Sequence, residues 1–184
     1  MRKKLPLAVV AAATLLITGC STYTTPRYSI KADTNVALKT IGASNISVGT
    51  FVGPSKFDAS CRAAGPLSPP DGLSHTEYLK RALEDELKVA GAYAANSPKI
   101  VLTGAVNKLE FSSARGLTGG SWDIELTLTS SNGRSMSATE HYTFDSGFVA
   151  DTACKQTAEA YMPTIQNLVG KIVGSATFKE LVKQ

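Results

Sequence analysis

Three cysteines, two histidines and one pair of acidic residues are the side chains of this sequence whose chemistry could reach beyond packing. Asp123 and Glu125 stand two residues apart, and two carboxylates on one face can in principle share general acid and base work. Their alternation with Trp122, Ile124, Leu126 and Leu128 also places them on the wet side of a strand, where they need no such role. His75 falls in the first turn of a helix and His141 beside Tyr142 on a strand, which is not a metal-ligand spacing. No metal or other cofactor is expected. Gly116-Leu117-Thr118-Gly119-Gly120 is rich in glycine but lacks the Lys-Ser/Thr pair of a phosphate loop. It reads as a turn with an exposed tip, and Gly116, Gly119, Gly120, Asp123 and Glu125 are the candidate partner contacts. The cysteines show no Cys-x-x-Cys spacing and the serines no Gly-x-Ser-x-Gly elbow. No catalytic residue is assigned, and the chain is expected not to be an enzyme.

The elements that must position these groups follow from hydrophobic period and turn chemistry. Residues 46–52 read as a first strand, with weak alternation. Residues 53–74 form a long loop holding Pro54, Pro66, Pro69, Pro70 and Cys61, and loops of that length need fixing or a function. Ser74-His75-Thr76-Glu77 matches a capping box. Leu79, Ala82, Leu83, Leu87 and Ala90 then recur at three- and four-residue steps, as on one face of a helix. Strands follow over 99–111, 122–129 and 134–144. Asn132-Gly133 marks a tight hairpin, predicted as type I′. Glu140 shares the inward phase of Met136, Ala138, Tyr142 and Phe144, which requires a sheet edge or a bulge. A stripe from Ala153 to Ile172 predicts a C-terminal helix, kinked or divided at Pro163, with a last helical turn around Phe178 and Leu181. The order β-α-β-β-β-α predicts an α+β two-layer sandwich over 45–184: a mostly antiparallel four-stranded sheet with helices packed on one face.

The N-terminus is of another kind. Met1-Arg2-Lys3-Lys4 is basic, and Leu5 to Ile17 is apolar apart from Pro6 and Thr14. The run is short for a membrane span and has the layout of a signal peptide. Ile17-Thr18-Gly19-Cys20 resembles the lipobox of bacterial lipoproteins. The resemblance implies that residues 1–19 are removed, that Cys20 becomes the first residue, and that its thiol and amine are acylated. Ser21, in place of Asp, is similar to the default sorting to the outer membrane of Gram-negative bacteria. Several acyl chains on one residue give stable anchoring where one is marginal. The membrane is thus the first expected partner.

Removal of that segment changes the charge arithmetic. The chain of 184 residues is 43% hydrophobic and 18% charged, with 19 basic and 15 acidic residues and a net charge of +4. Such a composition argues against long disorder and polytopic membrane folds. Residues 20–184 keep 16 basic and 15 acidic side chains, a net charge of +1, so the sustained positive face of a nucleic-acid binder is missing. Residues 20–44 are Ser- and Thr-rich and read as a flexible tether with a reach of roughly 25–30 Å, unless a piece such as 28–30 packs as an edge strand. With Cys20 acylated, Cys61 and Cys154 remain in an oxidising compartment, where a disulfide between them is the simple reading and free buried thiols the alternative. The layout resembles small outer-membrane accessory lipoproteins of envelope assembly and transport. That resemblance implies a non-catalytic binding or scaffold role toward an envelope complex, a cell-wall component or a lipid. A hydrolase of envelope polymers and a lipid carrier are the alternatives.

Overall fold

The computed structural model describes residues 21–115 and 118–184, so the signal segment, Cys20 and Gly116 lie outside the described residues. In chain order the elements are β1 (Tyr23–Thr24), α1 (Ala32–Thr40), β2 (Ile46–Val52), β3 (Ser60–Cys61) and β4 (Gly65–Ser68). A short 3-10 turn (Pro70–Gly72) leads to α2 (His75–Val89), β5 (Ile100–Arg115), β6 (Gly119–Ser130), β7 (Ser135–Asp145), α3 (Ala150–Val173) and α4 (Ala176–Leu181).

The main sheet has the order β2-β5-β6-β7, parallel between β2 and β5 and antiparallel elsewhere. Helices α2 and α3 pack against one face of it. The α+β class and the two-layer arrangement are those expected from the hydrophobic pattern. Ile124, Leu126 and Leu128 are buried on the helix side, while Thr129 is exposed and Asp123, Glu125 and Thr127 are half-buried on the other. A register shift between Val106 and Lys108 reverses the phase of β5. Ile100, Leu102 and Val106 face inward before it, and Leu109 after it. Glu140 points inward from β7, which is indeed the edge strand, and pairs with Lys171 from α3. An acid in an apolar phase is tolerated there because a helix cation closes over it.

Four sequence expectations need correction. Residues 21–44 are not a free tether. β1 pairs in parallel with β4, and α1 packs on α2 and α3 with Leu38 fully buried. One further tie is Glu86, which lies within the apolar stripe of α2 and is itself fully buried. Its Oε1 accepts hydrogen bonds from the Tyr28 hydroxyl and the Lys31 amide, both at 2.8 Å. A buried carboxylate needs such partners, and meeting that need ties the segment down. The 53–74 loop, in turn, is not structureless. It contains β3 and β4, which complete a small three-stranded sheet with β1. The β6–β7 turn is not type I′ either. Gly133 has φ of 85° but Asn132 does not adopt positive φ, and the Gly133 amide bonds to Ser130 O at 2.9 Å. That is a three-residue loop closed by a left-handed glycine. Asn132 is held by another demand: its Nδ2 reaches the carbonyls of Glu180, Leu181 and Lys183 at 3.0–3.2 Å, capping the end of α4. Lastly, of the two outcomes expected at Pro163, a kink or a division, the division does not occur: α3 runs unbroken through it.

The N-terminus of α2 forms as its residues dictate. Ser74 Oγ accepts from the Glu77 amide at 3.1 Å, and Glu77 accepts from the Ser74 amide at 2.8 Å. The center of the core is aromatic. Trp122 and Tyr161 are fully buried with ring centroids 4.6 Å apart. Their polar atoms are satisfied by backbone carbonyls: Trp122 Nε1 donates to Thr157 O at 2.8 Å and the Tyr161 hydroxyl to His75 O at 2.9 Å.

Cys61 and Cys154 are joined in a disulfide, with Cα atoms 5.8 Å apart and 93 positions of sequence between them. The link closes a long loop of the unfolded chain. Replacing both cysteines by alanine is therefore expected to cost about 2–5 kcal/mol, read as a lower urea midpoint. Reduction of the native protein should reproduce most of the loss.

Candidate functional site

Two regions gather the polar and exposed groups. One is the end of the molecule where the disulfide lies. Arg62, the residue after Cys61, donates from Nη1 to Phe148 O at 2.9 Å and from Nε to Ser113 Oγ at 3.0 Å, and its Nη2 bonds to Ser113 O. Arg62 and Ala63 both have positive φ, 47° and 53°, which side chains other than glycine adopt at a cost. The disulfide and the arginine bonds hold that turn in place. The Ser146 amide bonds to Thr118 O at 2.8 Å, which brings the β5–β6 connection to the same end. The Tyr23 hydroxyl bonds to Asp151 in the first turn of α3 at 3.1 Å, so β1 ends there as well. Phe148 and Val149 lead into α3 with 79% and 64% of their surface exposed.

The other region is the open face of the sheet. Asp123 Oδ1 lies 2.8 Å from Nδ1 of His141 on β7. Asn107 Nδ2 donates to Glu125 Oε1 at 3.2 Å and to Thr127 Oγ1 at 2.8 Å, and Thr127 continues to Ser137 at 2.8 Å. Lys108 pairs with Glu110 at 3.3 Å. The two candidate carboxylates thus belong to one polar ladder across three strands. The Asp123–His141 pair is a cross-strand contact that sequence alone did not reveal, because it depends on the register of β7. Two surface clefts, of about 140 and 370 Å³, include neither Asp123, Glu125 nor His141 in their walls.

The candidate glycines have packing roles. A Cβ on Gly120 would overlap the Phe144 ring and approach Ser112 O to 2.9 Å, and one on Gly119 would approach Arg115 O to 2.8 Å. Gly120 is buried and Gly119 half-buried, and both border a surface cleft of about 430 Å³ with Arg115, Thr143, Phe144 and Asp145.

Two buried titratable groups escaped the sequence reading. His75 is not a surface residue of a first helical turn. Its ring lies among Phe57, Trp122 and Tyr161, with centroids 4.8, 5.9 and 4.9 Å away. Burial lowers its pKa from 6.5 to about 4. Burial likewise raises the pKa of Glu86, against the opposing effect of the Lys31 amide and the Tyr28 hydroxyl. The position of Glu86 between Leu83 and Leu87 was the available signal. Among the described residues no three His, Cys, Asp or Glu side chains gather as a metal site requires, and no helix is long and apolar enough to cross a membrane.

No protein-family model matches the sequence, and no curated protein is significantly similar to it. Solved structures are similar in fold. A Xanthomonas campestris protein of the DUF330 family superposes with a TM-score of 0.53 at 15% identity, covering 87% of this chain and 96% of its own. The PelC dodecamer of Paraburkholderia phytofirmans gives a TM-score of 0.38 at 14% identity, over 77% of this chain and 92% of its own. A Caulobacter crescentus chain assigned as a lipoprotein gives 0.41 at 15%, over 77% and 90%. The first of these shows a shared fold across nearly the whole domain.

Two measurements check these environments. Gly120→Ala should cost about 1–3 kcal/mol of stability by overpacking, read by thermal or urea unfolding. Acid should also destabilise the protein through His75. Between its unfolded value of 6.5 and its folded value of about 4 the unfolded chain takes up a proton that the folded one refuses. Stability therefore falls as pH falls through that window, by up to about 3 kcal/mol. His75→Phe should flatten this limb of the stability profile.

Proposed function

We propose that the chain is a Gram-negative outer-membrane lipoprotein, anchored by acyl groups on Cys20, whose domain faces the periplasm and binds an envelope component without catalysing a reaction. The observation that carries the reading is the basic and apolar leader ending in Ile17-Thr18-Gly19-Cys20, with the folded chain starting almost at once at Tyr23.

Binding is favoured over catalysis by the setting of the carboxylates. Asp123 and Glu125 are engaged by His141 and Asn107 on an open sheet face, whereas an acid–base pair works best in a cleft that excludes water. Lipid carriage would require a hollow layer between helices and sheet. That layer is occupied by Trp122, Tyr161 and Phe178, all fully buried. The polar ladder, with Thr127 at its middle, is the surface offered to a protein or cell-wall partner.

Cys20→Ala should leave the leader uncut or release the protein from the membrane fraction, as read by mass spectrometry and gradient fractionation. Unchanged outer-membrane sedimentation would overturn the assignment. Photo-crosslinkers placed at Thr127 should capture a defined envelope partner. Turnover of a cell-wall substrate that is lost in Asp123→Asn would favour the hydrolase instead.

A further inference from the structure

We infer that Phe148 and Val149 form a membrane-seating pair: they dip into the lipid surface beside the acylated Cys20 and fix which end of the domain faces the bilayer. The inference rests on the anchoring proposed above and adds an orientation to it.

Connectivity supplies the first argument. Any acyl group on Cys20 is one residue from Ser21, about 3.8 Å between Cα atoms. Ser21 is exposed, but its carbonyl lies against Gly65, where a Cβ would overlap it. Gly65 pairs with Cys61, Cys61 is bonded to Cys154 in α3, and the adjacent Arg62 holds the Phe148 carbonyl at 2.9 Å. Ser21 and the Phe148 loop thus flank the one tight turn at residues 61–65. With so little slack, the lipid surface must lie against this end of the domain.

The side chains supply the second. Phe148 and Val149 are adjacent and are the two most exposed large apolar residues among those described. Val149 also occupies the N-cap of α3, with no side-chain cap bond. Ser, Thr, Asp or Asn would stabilise the helix at that position and Val does not. Neither residue contributes much to folding, so both are free to meet something outside the domain. Aromatic and aliphatic side chains at the headgroup level gain by leaving water. Arg62 bonds the carbonyls of Gly147 and Phe148, which holds the loop backbone against the domain.

The opposite end carries the β6–β7 turn and α4, joined through Asn132. α3 spans 24 residues, so its far end stands about 36 Å from its start.

The test uses the full acylated chain, verified by mass spectrometry, in vesicles of phosphatidylethanolamine and phosphatidylglycerol doped with phosphatidylcholine brominated on its acyl chain. Trp122 is fully buried and gives a constant background. Phe148→Trp should add emission that shifts to the blue and is quenched by the brominated lipid, while Lys179→Trp at the far end should not be quenched. Val149→Asp should melt at or above the wild-type temperature and reduce the quenching at Phe148→Trp. An acylated protein in which Phe148→Trp is quenched no more than Lys179→Trp overturns the seating and leaves the anchoring intact. A lowered melting temperature in Val149→Asp assigns that residue to the fold and also overturns it. A chain without acyl groups on Cys20 removes the anchoring and this inference together.

Discussion

The covalent bond between Cys61 and Cys154 is the constraint on which the arrangement of one whole end depends. The segment from 53 to 74 carries four prolines and two very short strands, and by itself it would have little reason to stay folded. Fixed at Cys61 to the start of α3, it becomes a platform. β4 then offers an edge to β1, Arg62 can gather the carbonyls of Ser113 and Phe148, and the strained turn at Arg62 and Ala63 is held. Strands of two to four residues are well short of the usual length of about five or six and hold little by themselves. Here the small sheet is stable because a disulfide and a long helix stand behind it.

The main sheet and its helices were legible because each obeys one dominant period. β6 alternates cleanly, α2 has an amphipathic stripe with a capping box, and the two give the two-layer fold directly. What was not legible depends on partners far away in sequence. Residues 21–44 look like a tether by composition, and the buried carboxylate of Glu86 is one of the ties that hold them folded. His75 looks like a surface residue of a first turn until Phe57, Trp122 and Tyr161 close around it. Asn132 looks like a type I′ residue until its amide is found capping α4. In each case a local preference gives way to a hydrogen-bonding or packing demand that arises only in the folded chain.

The candidate contacts fared unevenly for the same kind of reason. Asp123 and Glu125 were placed correctly on the wet face, since alternation is a local property. Their partners His141 and Asn107 were not foreseen, since they depend on register. Gly119 and Gly120, read as parts of an exposed tip, are small because Phe144 and the backbone of β5 come close to them. These two glycines therefore report first on packing.

The parallel pairing of β1 with β4 would have a mechanical meaning for a domain held through Cys20, as proposed above. A pull along the axis of β1 from its N-terminal end would load the bonds to β4, including Thr25 N to Ser68 O at 2.9 Å, together as a shear rather than open them one by one. Should they yield, the load would pass next to Pro26, Tyr28 and Lys31, which are bonded to Tyr78 and Glu86 of α2.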